Sequence, residues 1–251
     1  MKCGTRALIN SLALHPDVVT AEHEVGYFVG RNYDRGLEWY RSQMPTSRQN
    51  QITIEKTPNY FIKSAVAAPR IHAMNASTKI ILIVRDPVAR AVSDWLQFCR
   101  KFNQTHIETC RTFEGSGILA ANGHINPKCA QIRRSSYALE VDKWTTLFPL
   151  HTQFHVVSGE KLVLDPVSEL KKVESFLGLR QHITERNIAF EGKRRFFCMV
   201  SDDGEKRCLK PSSKGVKHPD LIPHVEATLR AYFKQLNQRF YRQVGQDFGW
   251  D

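Results

Sequence analysis

Several things are scarce in this 251-residue sequence, and each scarcity closes off a class of protein. No apolar run approaches the roughly 18 to 20 residues of a membrane span, and no signal peptide starts at Met1. Either the protein is cytosolic, or its targeting segment lies outside this sequence. Six cysteines are too few for a disulfide scaffold at this length. With no CxxC and no nearby His pair, four zinc ligands are not supplied. The Walker pattern GxxxxGK is missing, because in Lys2-Cys3-Gly4-Thr5 the lysine precedes the glycine. No magnesium-binding aspartate accompanies it, so this is not a standard nucleotide triphosphatase. Zinc-finger spacing, an RNA-recognition signature and basic heptads are absent too. So are repeats, low-complexity tracts and linkers, which leaves one domain over 1–251.

Acidic residues are the other shortage: 25 Asp and Glu stand against 36 Lys and Arg, a formal charge of +11. Such a balance suits a polyanionic partner, although it also serves solubility. Nucleic acid, a sulfated polysaccharide and a phosphorylated cofactor all fit, and charge alone does not choose.

What is present describes a soluble globular chain, 41% hydrophobic and 24% charged, long enough for a sizeable core. Strand-like runs fall at Asp17–Thr20, Gln51–Glu55, Lys79–Val84 and Phe154–Val157. Helical spacing appears over Ala7–Leu14, Gly36–Met44, Val88–Lys101, Tyr137–Phe148, Pro166–Leu177 and Ile222–Val244. Alternation of this kind predicts an α/β fold with a mainly parallel central sheet flanked by helices. KIILIVRDP is the clearest strand, apolar enough to be buried on both faces. It runs into Arg85 and Asp86, at the end of a parallel strand where such sheets place ligands.

Basic segments stand at the ends of these elements. Lys2-Cys3-Gly4-Thr5-Arg6 opens the first helix, where unpaired N–H groups and the helix dipole favour an anion. Arg85 ends a strand and Ser93 lies in the helix after it. In SSKGVKHP, Gly215 permits a tight turn between Lys214 and Lys217. Together they suit a ligand with phosphate at two ends. Cys198 and Cys208 bracket a polar stretch with a DDG turn, which is hairpin geometry that a bridge would fit in an oxidising compartment. Two sequons, Asn75-Ala-Ser77 and Asn103-Gln-Thr105, point weakly to the same setting.

KCGTRAL, HPDV, AEHEV, LEWYRSQMP, EKTPNYF, RDPVARAVSDW and the FC…RC…KGVKHP ending, in that order over nearly the whole chain, resemble the heparan sulfate glucosamine 3-O-sulfotransferases. The resemblance implies a P-loop-like sulfotransferase fold. It also implies the donor 3′-phosphoadenosine 5′-phosphosulfate, heparan sulfate or heparin as partner, no nucleic acid and no metal. The implied place is the Golgi lumen behind a type II anchor, or outside the cell. The family has a buried strand before the first loop, so that strand and any anchor are expected outside this sequence.

Carried over by residue, Lys2, Cys3, Gly4, Thr5 and Arg6 match the 5′-phosphosulfate loop, and Arg85 and Ser93 the 3′-phosphate pair. Phe197 falls where the family often has a tyrosine contacting the donor. Lys214, Gly215, Val216, Lys217 and His218 match its second donor loop, and Cys198–Cys208 its disulfide. Glu24 matches the catalytic base, with Lys2 and Lys56 as catalytic cations. The acceptor side is carried over as His23, Glu24, Val25, Gly26, Tyr27, Phe28 and Val29, with Lys56, Thr57, Pro58 and Asn59. A carboxylate suits the base role because a sugar hydroxyl is a poor nucleophile until its proton is taken. Lys2 can neutralise charge developing on the transferred group.

Departures from the family pattern also stand out. Gly26 and Val29 replace its histidine and aspartate, Cys3 replaces a loop glycine, and Val216 replaces an arginine. They keep two other readings open: a heparan sulfate sulfotransferase of the N-sulfotransferase type, and an inactive heparin-binding relative.

Overall fold

The computed structural model describes residues 3–101, 108–190, 197–208 and 217–250. Lys2, Lys214, Gly215, Val216 and the Asn103 sequon lie outside the described residues. The chain runs α1 (Thr5–Leu12), β1 (Val18–Thr20), α2 (Gly36–Ser42), β2 (Ile52–Ile54), α3 (Asn59–Ile62), α4 (Ser64–Met74), β3 (Ile80–Val84) and α5 (Pro87–Lys101). It continues α6 (Ala130–Ser135), α7 (Val141–Thr145), β4 (Phe154–Ser158), α8 (Gly159–Leu164) and α9 (Pro166–Leu177). The last elements are β5 (Ile188–Phe190), β6 (Phe197–Val200), β7 (Lys206–Arg207) and α10 (Pro223–Val244). The chain divides into two compact units, Cys3–Val84 with the described part of 143–214, and Arg85–Asp142 with the described part of 215–251.

Among the described residues, the first unit holds all the strands. β1 pairs with β2 in parallel, Val18 opposite Ile52 and Thr20 opposite Ile54. β3 pairs with β4 in parallel, Ile80 opposite Phe154 through Val84 opposite Ser158. β5, β6 and β7 form a separate antiparallel sheet, so the α/β fold is of mixed strand sense. β-branched Ile80, Ile81, Ile83 and Val84 suit a pleated surface packed on neighbours. Ile83 and Val157 meet Leu8, Leu12, Leu162, Leu170 and Val173 in one apolar core. Helix α9 carries its own start and stop signals: the Asp165 side chain accepts from the Ser168 N–H, Pro166 takes the first turn, and Gly178 ends it at φ 79°.

One expected helix comes out differently, and another helix was not expected. The Tyr137–Phe148 run is split into a 3-10 turn (Tyr137–Leu139) and α7. Tyr137 is held by its hydroxyl, which accepts from the Arg85 N–H and donates to the Arg85 carbonyl; Trp144 is drawn to the Phe61 carbonyl instead. Helix α4, unforeseen, contains Pro69. Ala67 and Ala68 beside it are fully buried, so packing offsets the missing N–H.

The second unit is helical. α5 and α10 enclose a core of Val88, Val92, Trp95, Phe113, Ile132, Leu229 and Phe233. Cys99 and Cys110 sit in that core, joined by a disulfide, and a second joins Cys198 to Cys208 in the first unit.

Candidate active site

The strand register explains how two distant acid–base residues meet. β1 and β2 leave the sheet in the same direction, and the pairing extends one step further because the Ala21 N–H donates to the Ile54 carbonyl at 2.9 Å. Residues just beyond both carboxyl ends are therefore neighbours. Glu24 and Lys56 form an ion pair there, with side chains 47% and 18% exposed. His23 is exposed beside them.

Beneath that pair lies a carboxylate that sequence reasoning passed over. Glu55 accepts from the Thr57 hydroxyl and from the Tyr60 hydroxyl at 3.4 Å, and the Val25 N–H adds a favourable interaction with its charge. Thr57 Oγ1 in turn accepts from the Gly26 N–H at 3.0 Å. Burial pushes the Glu55 carboxyl above the usual value, against the lowering pull of those donors and of Lys56. Its signal was in EKTPNYF, where Thr57 and Tyr60 stand two and five places on. Which charge of Glu55-Lys56 turns inward, however, is decided by what fills the interior.

Aromatic rings fill it. Val25, Tyr27 and Phe28 are buried. Tyr27 stacks on Tyr40 at 4.7 Å, and Phe28 meets Tyr60 edge-on at 5.5 Å. Burial, together with the charge on Glu55, pushes the Tyr40 and Tyr60 hydroxyls well above their ordinary range. Arg70 lies over the Tyr33 ring at 3.7 Å and donates to the Phe28 carbonyl. Asn32 fixes the Val25 carbonyl at 3.1 Å. Gly26 has φ 65° and open space where a side chain would point, so the backbone, not crowding, favours glycine there. Val29 ends the 3-10 turn that follows. Pro58 leads into α3, whose exposed first residue is Asn59.

The first loop opens a helix without a side-chain cap. Gly4 precedes α1 at φ 103°, a left-handed conformation suited to glycine. The first turn of α1 has no side-chain cap and no acidic residue, so its N–H groups and positive dipole end remain for a ligand. The backbone of buried Cys3 is seated at the carboxyl ends of β3 and β4: a side chain on Gly159 would lie 2.6 Å from the Cys3 carbonyl oxygen and 2.8 Å from that of Val84. Only glycine admits that approach. Thr5 is half-buried and Arg6 exposed. Among the described residues no group of His, Cys, Asp or Glu could hold a metal ion.

The remaining expected residues are found singly. Arg85 follows β3. Asp86 caps α5, accepting from the Val88 and Ala89 N–H groups at 2.7 and 3.0 Å, and Ser93 is half-buried within that helix. Phe197 is buried on β6, edge-on to Phe190. Lys217 is exposed and His218 half-buried.

The sulfotransferase domain family model matches residues 1–240. Heparan sulfate glucosamine 3-O-sulfotransferase 5 of Homo sapiens is 41% identical over 250 residues, covering 99% of this chain and 71% of that protein. Heparan sulfate glucosamine 3-O-sulfotransferase 6 of Mus musculus is 41% identical over 252 residues, covering 100% and 71%. The chain belongs to the heparan sulfate glucosamine 3-O-sulfotransferase family. Within that family's pattern, Gly26 is the departure whose backbone the structure explains. A solved sulfotransferase from Alicyclobacillus acidocaldarius shares the fold at TM-score 0.69 and 19% identity, over 98% of this chain and 93% of that one.

Proposed function

We propose that this chain transfers a sulfuryl group from 3′-phosphoadenosine 5′-phosphosulfate to the 3-hydroxyl of glucosamine residues in heparan sulfate. The observation that carries this reading is the Glu24–Lys56 pair at the shared carboxyl end of β1 and β2. It is open enough to meet a polysaccharide and fixed enough to aim a carboxylate. The donor supplies the sulfuryl group. The first turn of α1, with Gly4, Thr5, Arg6 and Lys2, takes the donor's 5′ end. Arg85 and Ser93 take its 3′-phosphate, and Phe197 with Lys214, Gly215, Val216, Lys217 and His218 completes donor binding. Charge-assisted bonds from such groups are about twice as strong as neutral ones.

On the acceptor side, Glu24 takes the proton of the attacking hydroxyl as its oxygen bonds to sulfur and the bond from sulfur to the donor's 5′-phosphate oxygen breaks, releasing 3′-phosphoadenosine 5′-phosphate; such a base is worth about 10²- to 10⁴-fold in rate. Lys56 orients Glu24 and, with Lys2, faces the acidic reactants. His23, Thr57, Pro58 and Asn59 border the acceptor, while Val25, Tyr27, Phe28 and Val29 shape the loop around Gly26. The +11 charge draws the polyanion in. Two disulfides fit an oxidising compartment, for which we propose the Golgi lumen or the extracellular space.

The test is incubation with labelled donor and heparan sulfate, followed by disaccharide analysis. Label on the 3-hydroxyl of glucosamine supports the proposal. Label on the amino nitrogen identifies an N-sulfotransferase, and heparin retention without label a binding relative.

A further inference from the structure

We infer that Glu55 is a positioning residue for sulfate transfer: its carboxylate ties the Glu24 strand end to the Lys56 strand end and so sets the aim of the base. This rests on the proposed transfer reaction. Thr57, next to Lys56, gives its hydroxyl to Glu55, and its oxygen accepts the Gly26 N–H, two residues on from Glu24, at 3.0 Å. The Val25 N–H, next to Glu24, adds a favourable interaction with the Glu55 charge. The two strand ends are thus joined through the Glu55–Thr57–Gly26 chain of hydrogen bonds, separately from the half-exposed Glu24–Lys56 pair.

Thr57 and Tyr60 both present a hydroxyl to Glu55 Oε1, and a carboxylate accepts from both without offering a hydrogen back. An amide keeps an acceptor oxygen but not its charge, so its hold on the Thr57 hydroxyl is weaker. Tyr60, bonded to the group, is itself packed edge-on against Phe28. Glu55 itself touches neither reactant in this scheme. Its effect passes through the backbone of 24–26 and 56–57, where small misplacements act on the transition state more than on donor affinity.

The experiment compares wild type with Glu55→Gln, Thr57→Val and Thr57→Ser by amide hydrogen exchange, sulfate-transfer kinetics and binding of the desulfated donor, 3′-phosphoadenosine 5′-phosphate. Expected results are faster exchange at Val25 in Glu55→Gln and at Gly26 in Thr57→Val. Both variants should lose about 10- to 100-fold in kcat at unchanged affinity for the desulfated donor, and Thr57→Ser should keep the slow exchange at Gly26. Unchanged exchange overturns the tie. Faster exchange with wild-type kcat overturns the positioning role, and so does a joint loss of kcat and desulfated-donor affinity, which marks general damage. If wild type transfers no sulfate, the reaction proposed above fails on its own, and exchange at Val25 and Gly26 alone decides whether Glu55 ties the two strand ends.

Discussion

At the ends of β1 and β2 an acid–base pair stands partly in solvent, whereas within the helical unit another is shut away from it. Glu24 and Lys56 meet with the acid half-exposed. Asp94 is 4% exposed and lies 3.1 Å from Arg134 and 3.7 Å from Arg90, itself 2% exposed and bonded to the Ser135 hydroxyl at 3.0 Å. Both are carboxylates facing cations, yet water separates their roles. An exposed pair contributes little to stability and keeps its proton chemistry accessible. A buried pair cannot lose one member without stranding the other in low dielectric.

The largest effect expected from this contrast is on folding. Asp94→Ala should destabilise by about 3–5 kcal/mol, read as a fall in the urea midpoint. If the midpoint is unmoved, the buried cluster is not structural and the comparison breaks. Glu24→Gln should do the reverse, lowering transfer by about 10²-fold or more at an unchanged urea midpoint. A variant that turns over like wild type removes Glu24 as the base.

The two disulfides sharpen the same comparison. Cys99–Cys110 lies in the helical core, and Cys198–Cys208 holds the antiparallel sheet; they close loops of similar length, with separations of 11 and 10. Removing either should cost about 2–3 kcal/mol in the chain-entropy account. Peptide mapping of protein made in an oxidising compartment should find both bridges, and free thiols at any of the four positions would contradict it.

The smallest effect expected is a pH dependence. His155 on β4 stacks on Phe176 at 5.0 Å, and its buried Nε2 has no hydrogen-bond partner among the described residues. Burial holds its pKa below the ordinary 6.5. The unfolded chain therefore binds a proton first, so stability is full above about pH 6.5 and declines as pH falls toward the depressed folded value. His155→Leu should flatten that part of the thermal-midpoint profile. An unchanged slope would show that His155 does not contribute to it.

Much of the scaffold was legible in the chain. Residues 18–20, 52–54 and 80–84 were each covered by an expected strand, and 154–158 all but its last residue, because β-branched runs between turn residues have few other uses. Pro166–Leu177 was read with its own boundaries, since Asp165, Pro166 and Gly178 signal them locally. The start of α1 was visible as Gly4 followed by an amphipathic run.

What only tertiary structure decided shares one cause: it depends on partners far away in sequence. Helix α4 tolerates Pro69 because Ala67 and Ala68 pack tightly, and the Tyr137–Phe148 run breaks because Tyr137 and Trp144 bond to different backbones. The Cys99–Cys110 bridge had no hairpin signal to announce it. Gly26 reads as a lost side chain in the sequence, and as a left-handed turn in the fold. Glu55 is the sharpest case. Its residue type was plain beside Lys56, but alternation along a strand cannot say which of two adjacent charges faces inward. That was settled by Thr57 and Tyr60, whose hydroxyls both reach the Glu55 carboxyl.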